Sequence, residues 1–197
     1  PIMQRYLNNF DRSIKRVGIP VDPYITQSNG GILSIQETVK MPVRTAISGP
    51  SAGVVAAAEI GKLAGHTNII TFDMGGTSAD ISLIENADPM ISLERKVDGL
   101  PARLPMLDIV TIGAGGGSIA RIDQGGGLKV GPESAGAAPG PACYMNGGLD
   151  PTVTDANVVW GRINPKTILG GRMDIDAALS EKAITEKITA QTNLSLL

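Results

Sequence analysis

The 197-residue chain is long enough for one ordinary domain or two small ones, and its 42 % hydrophobic content can build a core even though only 3 % is aromatic. A net charge of −2 with both signs scattered leaves no basic stripe for nucleic acid, and no apolar run approaches the ~20 residues that span a bilayer. One cysteine, Cys143, excludes an internal disulfide and fits a reducing, cytoplasmic setting, while one histidine, His66, excludes a site built from two histidines of this chain.

The chain begins on Pro1 and enters a helix at once, as a piece of a longer polypeptide would. Met3, Tyr6, Leu7, Phe10, Ile14 and Val17 recur at spacings of three and four, which predicts an amphipathic helix over 2–17 ended by Gly18. Pro20 and Pro23 mark a loop, residues 21–28 suit a short strand before Asn29-Gly30-Gly31, and 32–40 suit a short helix. Ser48-Gly49-Pro50-Ser51 reads as a break, after which Ala-rich 54–64 predicts a helix closed by Gly65.

Residues 68–72 are a short, β-branched apolar run of the kind that forms a buried strand. A Gly-Gly-Thr-Ser turn and a second strand over 79–84 complete a hairpin. Further strands are expected over 89–97 and 107–112, the latter running into Gly113–Ser118. Residues 119–122 and 128–130 should pair across 123–127. The Gly- and Pro-rich stretch 131–152 reads as irregular, 154–161 as the start of a helix, and a last helix capped by Asp174 carries Ile175, Ala178, Leu179, Ala183, Ile184 and Ile188.

The chemistry concentrates at Asp73-Met74-Gly75-Gly76-Thr77-Ser78-Ala79-Asp80. Gly75 and Gly76 remove Cβ atoms so that a phosphate can approach the backbone, successive N–H groups in such a turn form an anion-binding concavity, and Thr77 and Ser78 add hydroxyl donors. Asp73 and Asp80 are suited to hydrated Mg²⁺, which takes one or two carboxylates and keeps several waters. An ordinary glycine-rich hairpin turn is the competing reading. The loop of Gly115, Gly116, Gly117 and Ser118 suits backbone contact with a nucleotide or, equally, a tight structural turn; it has neither the third glycine of a dinucleotide fingerprint nor the lysine of a P-loop. Asp155 either caps a helix or faces a ligand together with Thr152 and Thr154. Asp108 reads as a solvated strand end, Cys143 as an inert thiol, and His66 as a solvated loop residue.

Phe72-Asp73-Met74-Gly75-Gly76-Thr77-Ser78-Ala79-Asp80 resembles the phosphate hairpin of the actin, Hsp70 and sugar-kinase superfamily, and more narrowly that of the hydantoinase A/oxoprolinase family. The agreement continues through Gln27-Ser28-Asn29-Gly30-Gly31, Ser48-Gly49-Pro50, Thr111-Ile112-Gly113-Ala114-Gly115-Gly116-Gly117-Ser118, Val130-Gly131-Pro132-Glu133-Ser134-Ala135-Gly136, Pro139-Gly140-Pro141-Ala142-Cys143-Tyr144 and Pro151-Thr152-Val153-Thr154-Asp155-Ala156. Ala79 stands where a hydroxyl residue is more usual, which removes one donor and leaves both aspartates.

The resemblance implies an α/β, actin-like (ribonuclease H-like) ATPase domain fragment, a mixed sheet with packed helices. It implies ATP and Mg²⁺ as cofactors, a cyclic amide of the hydantoin or 5-oxoproline type as substrate, and a hydantoinase B-type partner subunit or domain. It makes Asp73, Asp80 and Asp155 the catalytic candidates, with Asp73 and Asp80 at the metal and Gly75–Ser78 and Gly115–Ser118 at the nucleotide. Residues 1–197 would form part of one such domain, without the family's N-terminal domain and its second Asp-Gly-Gly-Thr hairpin. An acetone-type carboxylase subunit and a non-enzymatic nucleotide-binding module are the alternatives.

Overall fold

The computed structural model describes residues 2–97, 99–192 and 195. It resolves into two compact units, one of Pro1–Asp73 and Asp80–Val110, the other of Met74–Ala79 and Thr111–Leu197.

The first unit starts with helix α1, Ile2–Arg16, ended by Gly18 at φ 81°. Strands β1 (Tyr24–Thr26) and β2 (Ile32–Ser34) pair antiparallel across the Gln27–Gly31 turn, so residues 32–34 form a strand where a helix is predicted. The helix α2 begins at Ile35 and runs to Lys40, because the Ser34 hydroxyl accepts from Glu37 N and caps it there. Helix α3, Ser48–Ala64, starts six residues earlier than its apolar pattern suggests. Ser48-Gly49-Pro50-Ser51 is its first turn rather than a break, since a proline there sacrifices no intrahelical bond. Gly65, left-handed at φ 78°, closes it as predicted.

Strands β3 (Ile69–Met74) and β4 (Ala79–Glu85) form the expected hairpin within a four-stranded sheet of order β10-β4-β3, with β5 (Asp88–Pro89) also on β4. The stretch 89–97 is broken into short pieces rather than one strand: β6 (Ile91–Ser92) pairs with β9 (Met106–Leu107), and β7 (Arg95–Val97) with β8 (Leu100–Ala102). Strand β10, Ile109–Ile112, follows after Asp108, which is exposed as expected.

Val54 and Ala58 of α3 pack on Ile84, Leu107 and Ile109 to make the core of this unit, with Ile69 against it. The helix lies so close that a Cβ at Gly61 would collide with the Ile69 side chain. β3 is not the buried strand its composition predicts: Ile70 and Phe72 are 71 % and 57 % exposed. It is the end strand of its sheet, and α3 covers only the face carrying Ile69.

In the second unit β11 (Ser118–Ile122) and β12 (Leu128–Ser134) pair antiparallel, with a register shift between Ser118 and Ala120. Helix α4, Val153–Val159, and helix α5, Ala177–Lys187, enclose Cys143, Val158 and Ile175. Asp174 is not the cap of the last helix. It lies in β14 (Met173–Asp174), paired with β13 (Thr167–Ile168), and Asp176 caps α5 by accepting from Ala178 N at 2.9 Å. No described helix is long and apolar enough to cross a membrane.

Candidate functional site

The Gly75–Ser78 turn is exposed except at half-buried Ser78. Three of its four carbonyls are held: Ser78 O accepts from Gly75 N at 2.8 Å, Gly75 O from Gly116 N at 2.9 Å and Gly76 O from Gly117 N at 2.6 Å. The N–H groups of Gly76, Thr77 and Ser78 have no protein acceptor among the described residues. Tethered carbonyls and outward N–H groups together give a concavity of positive polarity suited to an anion. Neither Gly75 nor Gly76 has a positive φ, and a Cβ at Gly76 would meet nothing within 4 Å. Backbone geometry therefore does not require glycine at Gly76; what glycine leaves there is room.

The opposite holds for the second glycine loop. A Cβ on Gly115 would sit 2.6 Å from Thr77 N, and one on Gly117 would lie 2.9 Å from Gly76 O and 2.8 Å from Ser134 Oγ. Gly115, Gly117 and Ser118 are buried. The Ser118 hydroxyl accepts from Gly115 N at 2.9 Å and so points into its own loop. These residues stand behind the Gly75–Ser78 turn and brace it, and their close approach to another stretch of backbone is what demands glycine. Behind them, Thr154 donates from its N at 2.8 Å and its Oγ1 at 2.9 Å to Gly116 O, anchoring the brace to the first turn of α4. Composition signals the glycines of this brace, but nothing local signals Thr154 as its anchor.

Asp73 and Asp80 flank the turn. Alternation along β3 and β4 puts Asp73 on the side of Ile69 and Asp80 on the side of Ile84, the side packed by α3. Both line a cleft of ≈ 370 Å³ with Pro50, Gly53, Val54 and Ala57 of α3. That volume is within the ~300–1,000 Å³ typical of small-molecule sites. The donor set fits Mg²⁺, which needs only one or two carboxylates and brings its own waters. No cluster of three metal-binding side chains occurs among the described residues.

Asp155 is placed differently. It is 0 % exposed and closes a capping box with Thr152 at the start of α4. Its oxygens accept from Ala142 N at 3.2 Å, Cys143 N at 2.9 Å, Thr152 N at 2.9 Å, Thr152 Oγ1 at 2.7 Å and Ser180 Oγ at 2.7 Å. Of its two readings, the cap is the one the geometry presents, and Thr152 and Thr154 likewise bond within the fold. Cys143 is fully buried beside it; desolvation first, and then the Asp155 charge, push the thiol up to about 12, so it stays protonated and unreactive. His66 is exposed.

Comparison with known proteins places the chain in a family. The family model described as hydantoinase/oxoprolinase matches residues 1–197. Caprolactamase subunit alpha of Pseudomonas jessenii is 38 % identical over 196 residues, covering 100 % of this chain and 28 % of its own length. The solved structure of that ATP-dependent caprolactamase matches with a TM-score of 0.79. The acetophenone carboxylase gamma subunit of Aromatoleum aromaticum is 44 % identical over 82 % of this chain and 22 % of its own length. A nucleotide-free acetone carboxylase structure from a study of ATP-dependent acetone carboxylation has a TM-score of 0.79 at 32 % identity, over 98 % of this chain and 27 % of the other. The fold is thus the α/β, actin-like type expected, and the chain spans roughly a quarter of the length of these relatives.

Proposed function

We propose that this chain, which belongs to the hydantoinase/oxoprolinase family, supplies one phosphate-binding wall of an ATP-dependent enzyme that opens cyclic amides of the hydantoin or 5-oxoproline type. The observation that carries the reading is the Gly75–Ser78 turn, with three of its four carbonyls tied back and the N–H groups of Gly76, Thr77 and Ser78 outward. ATP, when bound with Mg²⁺, supplies a phosphoryl group to the amide oxygen and so makes the carbonyl carbon electrophilic enough for water to attack. Asp73 and Asp80 would hold the hydrated metal on the α3 side of the hairpin. The turn's N–H groups and the Thr77 and Ser78 hydroxyls orient phosphate oxygens, and the brace keeps those donors in place without reorganisation. Asp155 and the Gly115–Ser118 loop enter as support, not as ligand contacts.

A carboxylase reading has its own support, because the acetophenone carboxylase subunit is 44 % identical to this chain over the matched region. In that case the same ATP chemistry acts on a ketone or bicarbonate. A companion subunit of the hydantoinase B type belongs to the proposal in either form, and some relatives are themselves named as subunits.

The test is ATP hydrolysis by the complete protein with its companion subunit, comparing hydantoin and 5-oxoproline with ketones plus bicarbonate. Cyclic-amide-stimulated hydrolysis with a ring-opened product is expected. Stimulation by ketone and bicarbonate alone transfers the assignment to the carboxylase, and nucleotide binding without stimulated turnover to a non-enzymatic module. The 197 residues alone, holding one such hairpin, should turn over at least about 10²-fold more slowly, the typical loss when one set of preorganised donors is missing. Comparable turnover would defeat the half-site reading.

A further inference from the structure

The Gln27-Ser28-Asn29-Gly30-Gly31 motif is not absorbed by the phosphate turn, yet it is built into the first unit as firmly as anything there. Ser28 is 1 % exposed and fully engaged: its N donates to Arg44 O at 2.6 Å, its carbonyl accepts from Leu107 N at 2.8 Å and Ser51 Oγ at 2.9 Å, and its hydroxyl accepts from Ile47 N at 3.2 Å. The turn is closed by Gln27 N to Gly31 O at 2.8 Å, and Asn29 Oδ1 accepts from Gly31 N at 2.9 Å. This scaffolding surrounds a cavity of ≈ 120 Å³ lined by Gln27, Asn29 and Arg44 on its polar side and by Leu104, Pro105 and Met106 on its apolar side.

The polar side carries donors in excess. Gln27 is only 8 % exposed, and its side-chain amide has no hydrogen-bond partner among the described residues. Asn29 commits its oxygen to the turn and keeps its NH₂. Half-buried Arg44 makes no ion pair with a described acidic residue, and no acidic side chain among them lines the cavity. No described residue accepts from the Gln27 amide or the half-buried Arg44 guanidinium, and neither leaves a buried unpartnered atom, so their donors stay open to whatever enters the cavity. A guanidinium fork matches the two oxygens of a carboxylate, and the apolar wall suits a short carbon chain behind that group. The volume lies below the ~300–1,000 Å³ of pockets that enclose whole ligands, as befits a head-group site.

We propose that this cavity binds the carboxylate end of a small organic acid, through Arg44, Gln27 and Asn29. The site is separate from the nucleotide reading and stands or falls without it.

The test is a ligand-observed NMR titration of the complete protein with butyrate, with butyramide as the uncharged analogue and inorganic phosphate as the competing oxyanion. Butyrate should bind and butyramide should not. Arg44→Met and Gln27→Glu should each weaken butyrate binding by about tenfold or more, the scale of a lost charge-assisted hydrogen bond. Gln27→Glu is nearly isosteric and sets a carboxylate in the ligand's place, so it decides the matter if Arg44→Met fails to fold. Asp73→Asn should leave butyrate binding unchanged while reducing nucleotide affinity, so the two sites fail separately. No butyrate binding, equal binding of butyramide, phosphate displacing butyrate at the same variant-sensitive site, or binding indifferent to Gln27→Glu would each overturn the proposal.

Discussion

Asp73 stands two residues before Gly75-Gly76-Thr77-Ser78 and Asp155 between Thr154 and Ala156, and the fold uses the two in opposite ways. Asp73 is exposed at the end of a strand, beside a turn whose N–H groups face outward, and it lines an open cleft. Asp155 is 0 % exposed and accepts hydrogen bonds from Ala142, Cys143, Thr152 and Ser180. A carboxylate saturated by donors of its own fold has nothing left for a ligand, whereas one that keeps its lone pairs toward solvent costs the fold little to replace. The same contrast separates the two glycine sets: Gly76 leaves space, and Gly115 and Gly117 fill it with backbone.

That contrast is broken most sharply by removing each aspartate. Asp155→Ala should lower stability by about 3 kcal/mol or more, since several buried donors lose their acceptor at about 1–3 kcal/mol each. Urea unfolding measures it, and a midpoint within error of the parent would mean that the hub is dispensable. Asp73→Ala should do the reverse in the complete protein: ATP-dependent turnover falls by about 10²-fold or more while the unfolding midpoint stays within about 0.5 kcal/mol of the parent. Full turnover in that variant removes Asp73 from the site.

The glycines sharpen the same point on a smaller scale. Gly76→Val should weaken nucleotide binding by about tenfold, roughly 1.4 kcal/mol, with little loss of stability, because its Cβ meets no protein atom within 4 Å. Gly115→Ala should cost about 1–3 kcal/mol of stability as well as affinity, since its Cβ is 2.6 Å from Thr77 N. Calorimetric titration and unfolding on the same samples separate the two, and equal profiles would erase the distinction between ligand room and brace.

The last contrast concerns Cys143 and is read only above pH 9. Burial and the Asp155 charge raise its thiol from 9.0 to about 12, so the folded state favours the protonated form. The stability this contributes is complete below pH 9, where unfolded and folded thiols are both protonated, and is lost as pH rises from about 9 to about 12. Unfolding midpoints of wild type and Cys143→Ser should therefore converge across that range, and the native thiol should resist alkylation at pH 8. Rapid native-state alkylation would place Cys143 at the surface.

Sequence by itself determined the elements whose causes are local. The Gly75–Ser78 hairpin, the helix ends at Gly18 and Gly65, and the pairing of residues 119–122 with 128–130 each rest on turn chemistry and periodicity within a few neighbouring residues, whereas the strand's continuation to Ser134 falls in a stretch expected to be irregular. Tertiary structure alone decided which side of β3 is covered, that Asp155 turns inward, that Gly115–Gly117 brace rather than line, and that Gln27 and Arg44 share a cavity. The reason is distance along the chain. The Thr154–Gly116 bond joins residues 38 apart and the Ser180–Asp155 bond residues 25 apart, so the burial and donor supply that set each side chain's role exist only once those segments have met.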